Sequence, residues 1–139
     1  MADRKATAVW QGDLKSGKGE MHFADYTGQF SFSSRFEEGT GTNPEELLGA
    51  AHAGCFSMAF SNALSKAGFI PEKVETTAKI ALRNVDGGTK IVSSHLVCQA
   101  QVPGISNEEF QEIAAAAKSG CPVSVALAGL EISLDAELV

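Results

Sequence analysis

Cys55 is the first residue to weigh for covalent chemistry. It lies inside Leu47–Ser65, 19 residues without a Lys, Arg, Asp or Glu. A cysteine in such a run is either a small hydrophobe packed in a buried helix or a nucleophile sheltered from solvent. Thiolate is the reactive form of sulfur, and a position in mid-helix lacks the helix N-terminal dipole that would favour it. A reactive Cys55 therefore needs a cation delivered from elsewhere. Arg35, in the polar stretch before the run, is the candidate; its plainer reading is a solvated loop charge. His52 stands three residues before Cys55, so the two are helix neighbours. A Cys–His pair could serve a hydrolase, although a packed histidine is the simpler account. Cys98, between Leu96 and Ala100 on the apolar face of a strand, reads as core. Cys121 precedes Pro122 at a helix start, where it is either a packed residue or a second reactive thiol. His22, His52 and His95 belong to different elements, so no zinc spacing is present.

The elements that must position these residues follow from pattern. The 139 residues suit one domain, 1–139. With 44% apolar and 20% charged residues the composition is that of an ordinary globular chain and excludes intrinsic disorder. The net charge of −6 gives no footprint for phosphate backbones, which argues against nucleic acid as a partner. Three widely spaced cysteines are not a secreted disulfide framework. Met1-Ala2-Asp3-Arg4-Lys5 opens without an apolar signal segment, so a cytoplasmic location is expected. The run around Cys55 approaches the length of a membrane span, but His52, Ser57, Ser61, Asn62 and Ser65 interrupt it. A helix buried in a globule, apolar or small nearly all round, is expected instead.

Residues 4 to 33 read as a meander of three short antiparallel strands, with a turn at Tyr26-Thr27-Gly28 and a third strand on which Phe30 and Phe32 alternate with serines. Arg35–Thr42 reads as a loop. Asn43 is a helix cap, Pro44 suits the first helical position and Glu46 completes a capping box. The helix is expected to reach about Ala67, a length of roughly 36 Å, and to stop at Gly68. Val74–Arg83 and Ser94–Val102 alternate as a strand pair, joined at Asp86-Gly87-Gly88. Ser106 and Glu109 start a second helix, Cys121-Pro122 a third, and Leu130–Leu138 alternates as a last strand. The order β-β-β-α-β-β-α-α-β is an α+β fold of antiparallel sheets around long central helices. One thin sheet covers only one side of an all-round apolar helix, so an intertwined homodimer is expected.

Two segments resemble the OsmC/Ohr family of thiol-dependent peroxidases. The first runs from Ser34-Arg35-Phe36-Glu37-Glu38 through Asn43-Pro44-Glu45-Glu46 to Ala53-Gly54-Cys55-Phe56-Ser57-Met58, and the second is Lys118-Ser119-Gly120-Cys121-Pro122-Val123-Ser124. The resemblance extends over essentially the whole chain, element order included. It implies that Cys55 is the nucleophile, that Arg35 holds it as thiolate, that Glu45 is an active-site glutamate and that Cys121 is the resolving thiol. In the implied cycle Cys55 attacks an organic hydroperoxide, an alcohol leaves, and the sulfenic acid condenses with Cys121 to a disulfide. A dithiol, with lipoyl groups the implied source, restores both thiols. No metal, flavin or haem is required. The implied role is defence against oxidative or osmotic stress. The arginine before the long helix resembles the osmotically inducible branch; the other branch carries it on the N-terminal strands, where this chain has only Lys15 and Lys18. Phe30, Phe32, Phe36, Phe56, Met58 and Phe60 are expected to supply apolar surface for an organic tail. Ten helical residues separate Glu45 from Cys55 by about 15 Å. If both serve one site, the glutamate must come from a partner subunit or the helix must break, which is a second reason to expect a dimer with active sites at its interface. Two rivals stand beside this reading: a hydrolase using Cys55 and His52, and a non-enzymatic stress or binding protein in which Cys55 only packs.

Overall fold

A computed structural model describes all residues, Met1–Val139. They divide into two compact units, Met1–Leu47 and Leu48–Val139.

The first unit begins with the expected meander. Strands β1 (Thr7–Gln11), β2 (Lys18–Phe23) and β3 (Tyr26–Phe30) pair antiparallel in that order. Tyr26-Thr27-Gly28 is strand rather than turn. The chain reverses one step earlier, at Ala24-Asp25, with Ala24 in the left-handed region at φ +47°. Phe32 is not on the third strand either. Helix α1 (Phe32–Phe36) starts there, so the order contains one short helix more than expected, and Arg35 lies on it rather than in a loop. Local chemistry explains the change. Ser31 caps the helix, Ser34 N–H donates to its hydroxyl, and Ser34 Oγ accepts from Ser31 N–H in return. Phe32 and Phe36 stand four residues apart, and their rings meet at 4.9 Å, as neighbours on one helix face do.

The long helix α2 (Pro44–Lys66) begins as its sequence requires. Asn43 Oδ1 accepts from Glu46 N–H at 2.8 Å. Glu46 reaches back, but it meets the Asn43 side-chain amide at 2.7 Å rather than the backbone. The helix ends at Lys66, and Gly68 takes the left-handed conformation at φ +95° just beyond it.

In the second unit β4 (Lys73–Val85) and β5 (Gly88–Gln101) form a long antiparallel hairpin. Asp86 and Gly87 both have positive φ, which the tight turn demands. β5 starts six residues before the expected Ser94, because a bulge opposite Ala81/Leu82 breaks the alternation there. Helices α3 (Asn107–Gly120) and α4 (Pro122–Ala126) follow, and β6 (Glu131–Leu138) returns alongside β5. That last pairing is parallel, so this sheet is mixed and not wholly antiparallel. The two helices are the crossover that parallel neighbours require. The core of the unit joins Phe56, Phe60 and Leu64 of α2 with Leu96 and Cys98 of β5 and Phe110 of α3; the Phe60 and Phe110 rings meet edge to face at 5.2 Å. Burial of α2 is one-sided here. His52, Phe56, Phe60 and Leu64 are fully buried, while Met58 is 76% exposed and Ala51 and Gly54 face solvent beside it.

Candidate active site

The first unit holds Arg35 and Glu45 together. The start of α2 places Glu45 in its first turn, and α1 carries Arg35 towards it. The Arg35 Nη2 and Nε hydrogens both go to the Glu45 carboxylate, at 2.7 Å to Oε1 and at 3.1 and 3.2 Å to Oε1 and Oε2. This two-point grip fixes the guanidinium plane. It leaves Nη1 with no partner. The glutamate is the more buried of the two, its side chain 11% exposed against 35% for the arginine. Arg35 also lies over the Phe36 ring, 5.3 Å from its centre.

A cavity of about 240 Å³ opens beside this pair, lined by Trp10, Leu14, Phe30, Phe32, Arg35 and Phe36. The arginine is its one charged wall. Three of the six residues expected to supply apolar surface are therefore present: Phe30, Phe32 and Phe36. Phe56 and Phe60 instead belong to the core of the second unit, and Met58 is on the surface. Trp10 and Leu14 were not foreseen. A lone tryptophan and a leucine ahead of a glycine-rich turn give no sequence signal of a pocket.

The second unit holds Cys55, Cys121 and His52. All three cysteines are free thiols. Cys121 caps α4, whose first residue, Pro122, has no N–H to give. The next two N–H groups are spent on sulfur: Val123 N–H donates to Cys55 Sγ at 3.5 Å, and Ser124 N–H donates to Cys121 Sγ at 3.3 Å. Two consecutive backbone donors thus set the two sulfur atoms side by side. Cys121 is fully buried and Cys55 half-buried.

Burial pushes the Cys55 thiol up; the Val123 N–H pulls it down, and the neighbouring Cys121 pushes it up again. This environment favours thiol over thiolate, so a reactive Cys55 would need a positive charge from outside it. Cys98 is core, as expected: fully buried, with its thiol pushed up by burial and partly offset by Thr76.

His52 does not pair with Cys55. Nδ1 shares a hydrogen with Ser94 Oγ at 2.6 Å and Nε2 with Ser124 Oγ at 2.8 Å. With both ring nitrogens engaged, no lone pair is left to take a proton from Cys55, and the Cys–His hydrolase loses its base. Burial pushes the imidazolium down, so the ring is neutral near pH 7. Ser94 and Ser124 are residues that sequence reading passed over, one as a strand serine and one as the tail of the second cysteine motif.

Comparison with known proteins agrees with the two-motif reading. A family model described as OsmC-like protein matches residues 37–135. The chain is 46% identical to peroxiredoxin OsmC of Escherichia coli strain K12, over 97% of this chain and 96% of the relative. It is 32% identical to organic hydroperoxide resistance protein OhrB of Bacillus subtilis, over 74% and 75% of the two chains. The crystal structure of OhrB superposes with TM-score 0.76 at 27% identity, covering 96% of this chain and 98% of that one. An OsmC-like protein of unknown function from Vibrio cholerae shares the fold, with TM-score 0.80 at 18% identity over 98% and 99%. The greater identity to OsmC than to OhrB matches the branch expected from the position of Arg35. No helix is long and apolar enough to cross a membrane. The chain belongs to the family of OsmC-like proteins.

Proposed function

We propose that the chain is a thiol peroxidase that reduces organic hydroperoxides to alcohols, with Cys55 as nucleophile and Cys121 as resolving thiol. The observation that carries this reading is the placement of both sulfur atoms on consecutive N–H groups at the start of α4. The names of the relatives, a peroxiredoxin and an organic hydroperoxide resistance protein, point the same way.

The Cys55 thiolate attacks the distal oxygen of the hydroperoxide. The O–O bond breaks, the alkoxide leaves and takes a proton, and Cys55 becomes a sulfenic acid. Cys121 sulfur then attacks the Cys55 sulfur, water leaves and a disulfide forms, which protects Cys55 from further oxidation. A dithiol reduces the disulfide by exchange; a lipoyl group is a donor of the right chemistry. The cycle moves two electrons through sulfur alone. The apolar cavity beside Arg35 accommodates an organic tail, which gains burial there.

Cys55 lacks a local cation, and Arg35 has an open Nη1 held in place by Glu45. We assign Arg35 and Glu45 to the same reaction. α2 is unbroken across the ten residues from Glu45 to Cys55, so the pair that serves one Cys55 comes from a second copy of the chain. The exposed Met58 side of α2 gives that copy an apolar surface to cover. The functional unit is a cytoplasmic homodimer acting in stress defence.

The test follows hydroperoxide loss with a dithiol present. Cys55→Ser is expected to be inert. Cys121→Ser is expected to react once and then accumulate Cys55 sulfenic acid. Sustained wild-type turnover by Cys121→Ser would remove the two-thiol cycle, and activity in Cys55→Ser would leave Cys55 a packing residue.

A further inference from the structure

A continuous run of polar contacts crosses the interior of the second unit: Ser94 Oγ to His52 Nδ1 at 2.6 Å, His52 Nε2 to Ser124 Oγ at 2.8 Å, and Ser124 Oγ to Cys121 Sγ at 3.1 Å. Its members come from β5, α2, α4 and the residue that caps α4, and all four are buried. The thiol cycle does not need His52 or Ser94 as reactants, yet such a network is costly to bury unless each hydrogen has an acceptor.

Counting hydrogens gives the network a direction. Setting aside the weakly donating S–H of Cys121, a neutral imidazole brings one N–H and the two serines bring one O–H each, three strong donors for three contacts. His52 Nδ1 is the sole partner of Ser94 Oγ. If the ring hydrogen were on Nδ1 and pointed at Ser94, the Ser94 hydroxyl hydrogen would be buried with no acceptor. If Ser94 donates to Nδ1, the ring hydrogen is on Nε2 and goes to Ser124 Oγ, and the Ser124 hydroxyl hydrogen goes to Cys121 Sγ. Every N–H and O–H of the chain is then used. In that arrangement Cys121 Sγ accepts two hydrogen bonds from one residue, from the hydroxyl and from the backbone N–H of Ser124.

We propose that Ser94, His52 and Ser124 form a one-way hydrogen-bond chain that ends on Cys121 Sγ and makes Cys121 the sulfur that departs when a dithiol opens the Cys55–Cys121 bond. His52 and Ser124 are thus positioning residues for the reductive half of the cycle. The role rests on the two-thiol reading above. In the step, a thiolate of the dithiol attacks the half-exposed Cys55 sulfur, and a new S–S bond forms there. The Cys55–Cys121 bond breaks, and Cys121 leaves with the electron pair as a thiolate that accepts the two waiting hydrogen bonds. The second sulfur of the dithiol then displaces Cys55, so the dithiol ends as a disulfide. The two protons its thiols lose match the two that the cysteine sulfurs regain.

Two measurements on the full chain test this. Nitrogen-15 NMR of histidine-labelled wild type, with the His52 signals identified by their loss in His52→Asn, is expected to place the hydrogen on Nε2 and leave Nδ1 bare. A hydrogen on Nδ1 overturns the direction of the chain, whatever the protein's activity. Next, the disulfide is formed with cumene hydroperoxide and opened with dithiothreitol. Ser124→Ala is expected to slow the opening about tenfold more than it slows Cys55 oxidation, the effect of one hydrogen bond to an anion, and Ser124→Thr is expected to restore it. Equal slowing of both steps, or no rescue by threonine, overturns the role. If wild type forms no Cys55–Cys121 disulfide at all, the two-thiol reading and the departing role fall together, while the NMR result still decides the chain's direction.

Discussion

The Arg35–Glu45 pair and the Cys55–Cys121 pair are built from opposite materials. The first is an ion pair at the edge of an apolar cavity, with one guanidinium nitrogen left open. In the second, sulfur meets only neutral groups, namely backbone N–H, a serine hydroxyl and another thiol. One region has charge and no nucleophile; the other has nucleophiles whose surroundings favour the protonated form. An arginine permanently against Cys55 would hold it ionised and open to any electrophile. On the proposed cross-subunit reading the cation reaches the thiol only in the dimer, which ties reactivity to assembly.

Among variants that keep both thiols, breaking the charged side should have the largest effect. Arg35→Ala is expected to slow Cys55 oxidation by cumene hydroperoxide about 100-fold, the usual loss when one preorganised electrostatic group is removed, and stopped-flow fluorescence or peroxide loss will measure it. An unchanged rate would mean that Cys55 is activated by something other than this arginine. Trp10→Ala opens the cavity without touching charge or sulfur. It should lower the preference for cumene hydroperoxide over hydrogen peroxide by about tenfold, the burial of a small apolar group; an equal change for both substrates would remove the cavity from the site. Asn43→Ala should cost about 1 kcal/mol of stability by urea unfolding, because Asn43 caps the helix that presents Glu45.

The smallest effect sharpens the neutral side. The buried His52 takes up its proton later than the unfolded chain does as pH falls. Its contribution to stability is therefore intact above about pH 6.5 and declines as pH falls through that value towards the lower folded one. Between about pH 7.5 and about pH 5.5 wild type should lose more stability than His52→Asn, read as the shift in urea midpoint. A wild-type shift no larger than that of the variant would mean that His52 is not held neutral.

What was legible in the sequence is local. Asn43, Pro44 and Glu46 fix the start of α2 within four residues, and Asp86-Gly87 can close only a tight turn. Phe32 misled because Phe30 and Phe32 are two apart while Phe32 and Phe36 are four apart, so both periods fit; the Ser31–Ser34 caps decide for helix. The parallel direction of β6 was not legible, since alternation is the same whichever way a strand runs. In the candidate site the two cysteines, the arginine and the glutamate were all named from the resemblance to the OsmC/Ohr motifs. Their partners were not. The Arg35–Glu45 grip forms across a loop, and Ser94 and Ser124 reach His52 from 42 and 72 residues away. Serine is too common, and such distances too long, for pattern to find them.

Cys98 gives the molecule a reporter of its own opening. Its side chain is fully buried in the core with residues of α2 and α3, so a reagent reaches it only when that core opens. The rate at which an alkylating agent marks Cys98 in a variant lacking the other two thiols therefore measures how often this core opens, much as amide exchange does for a backbone hydrogen. A peroxide that damages the fold would be betrayed by faster tagging of this otherwise silent cysteine.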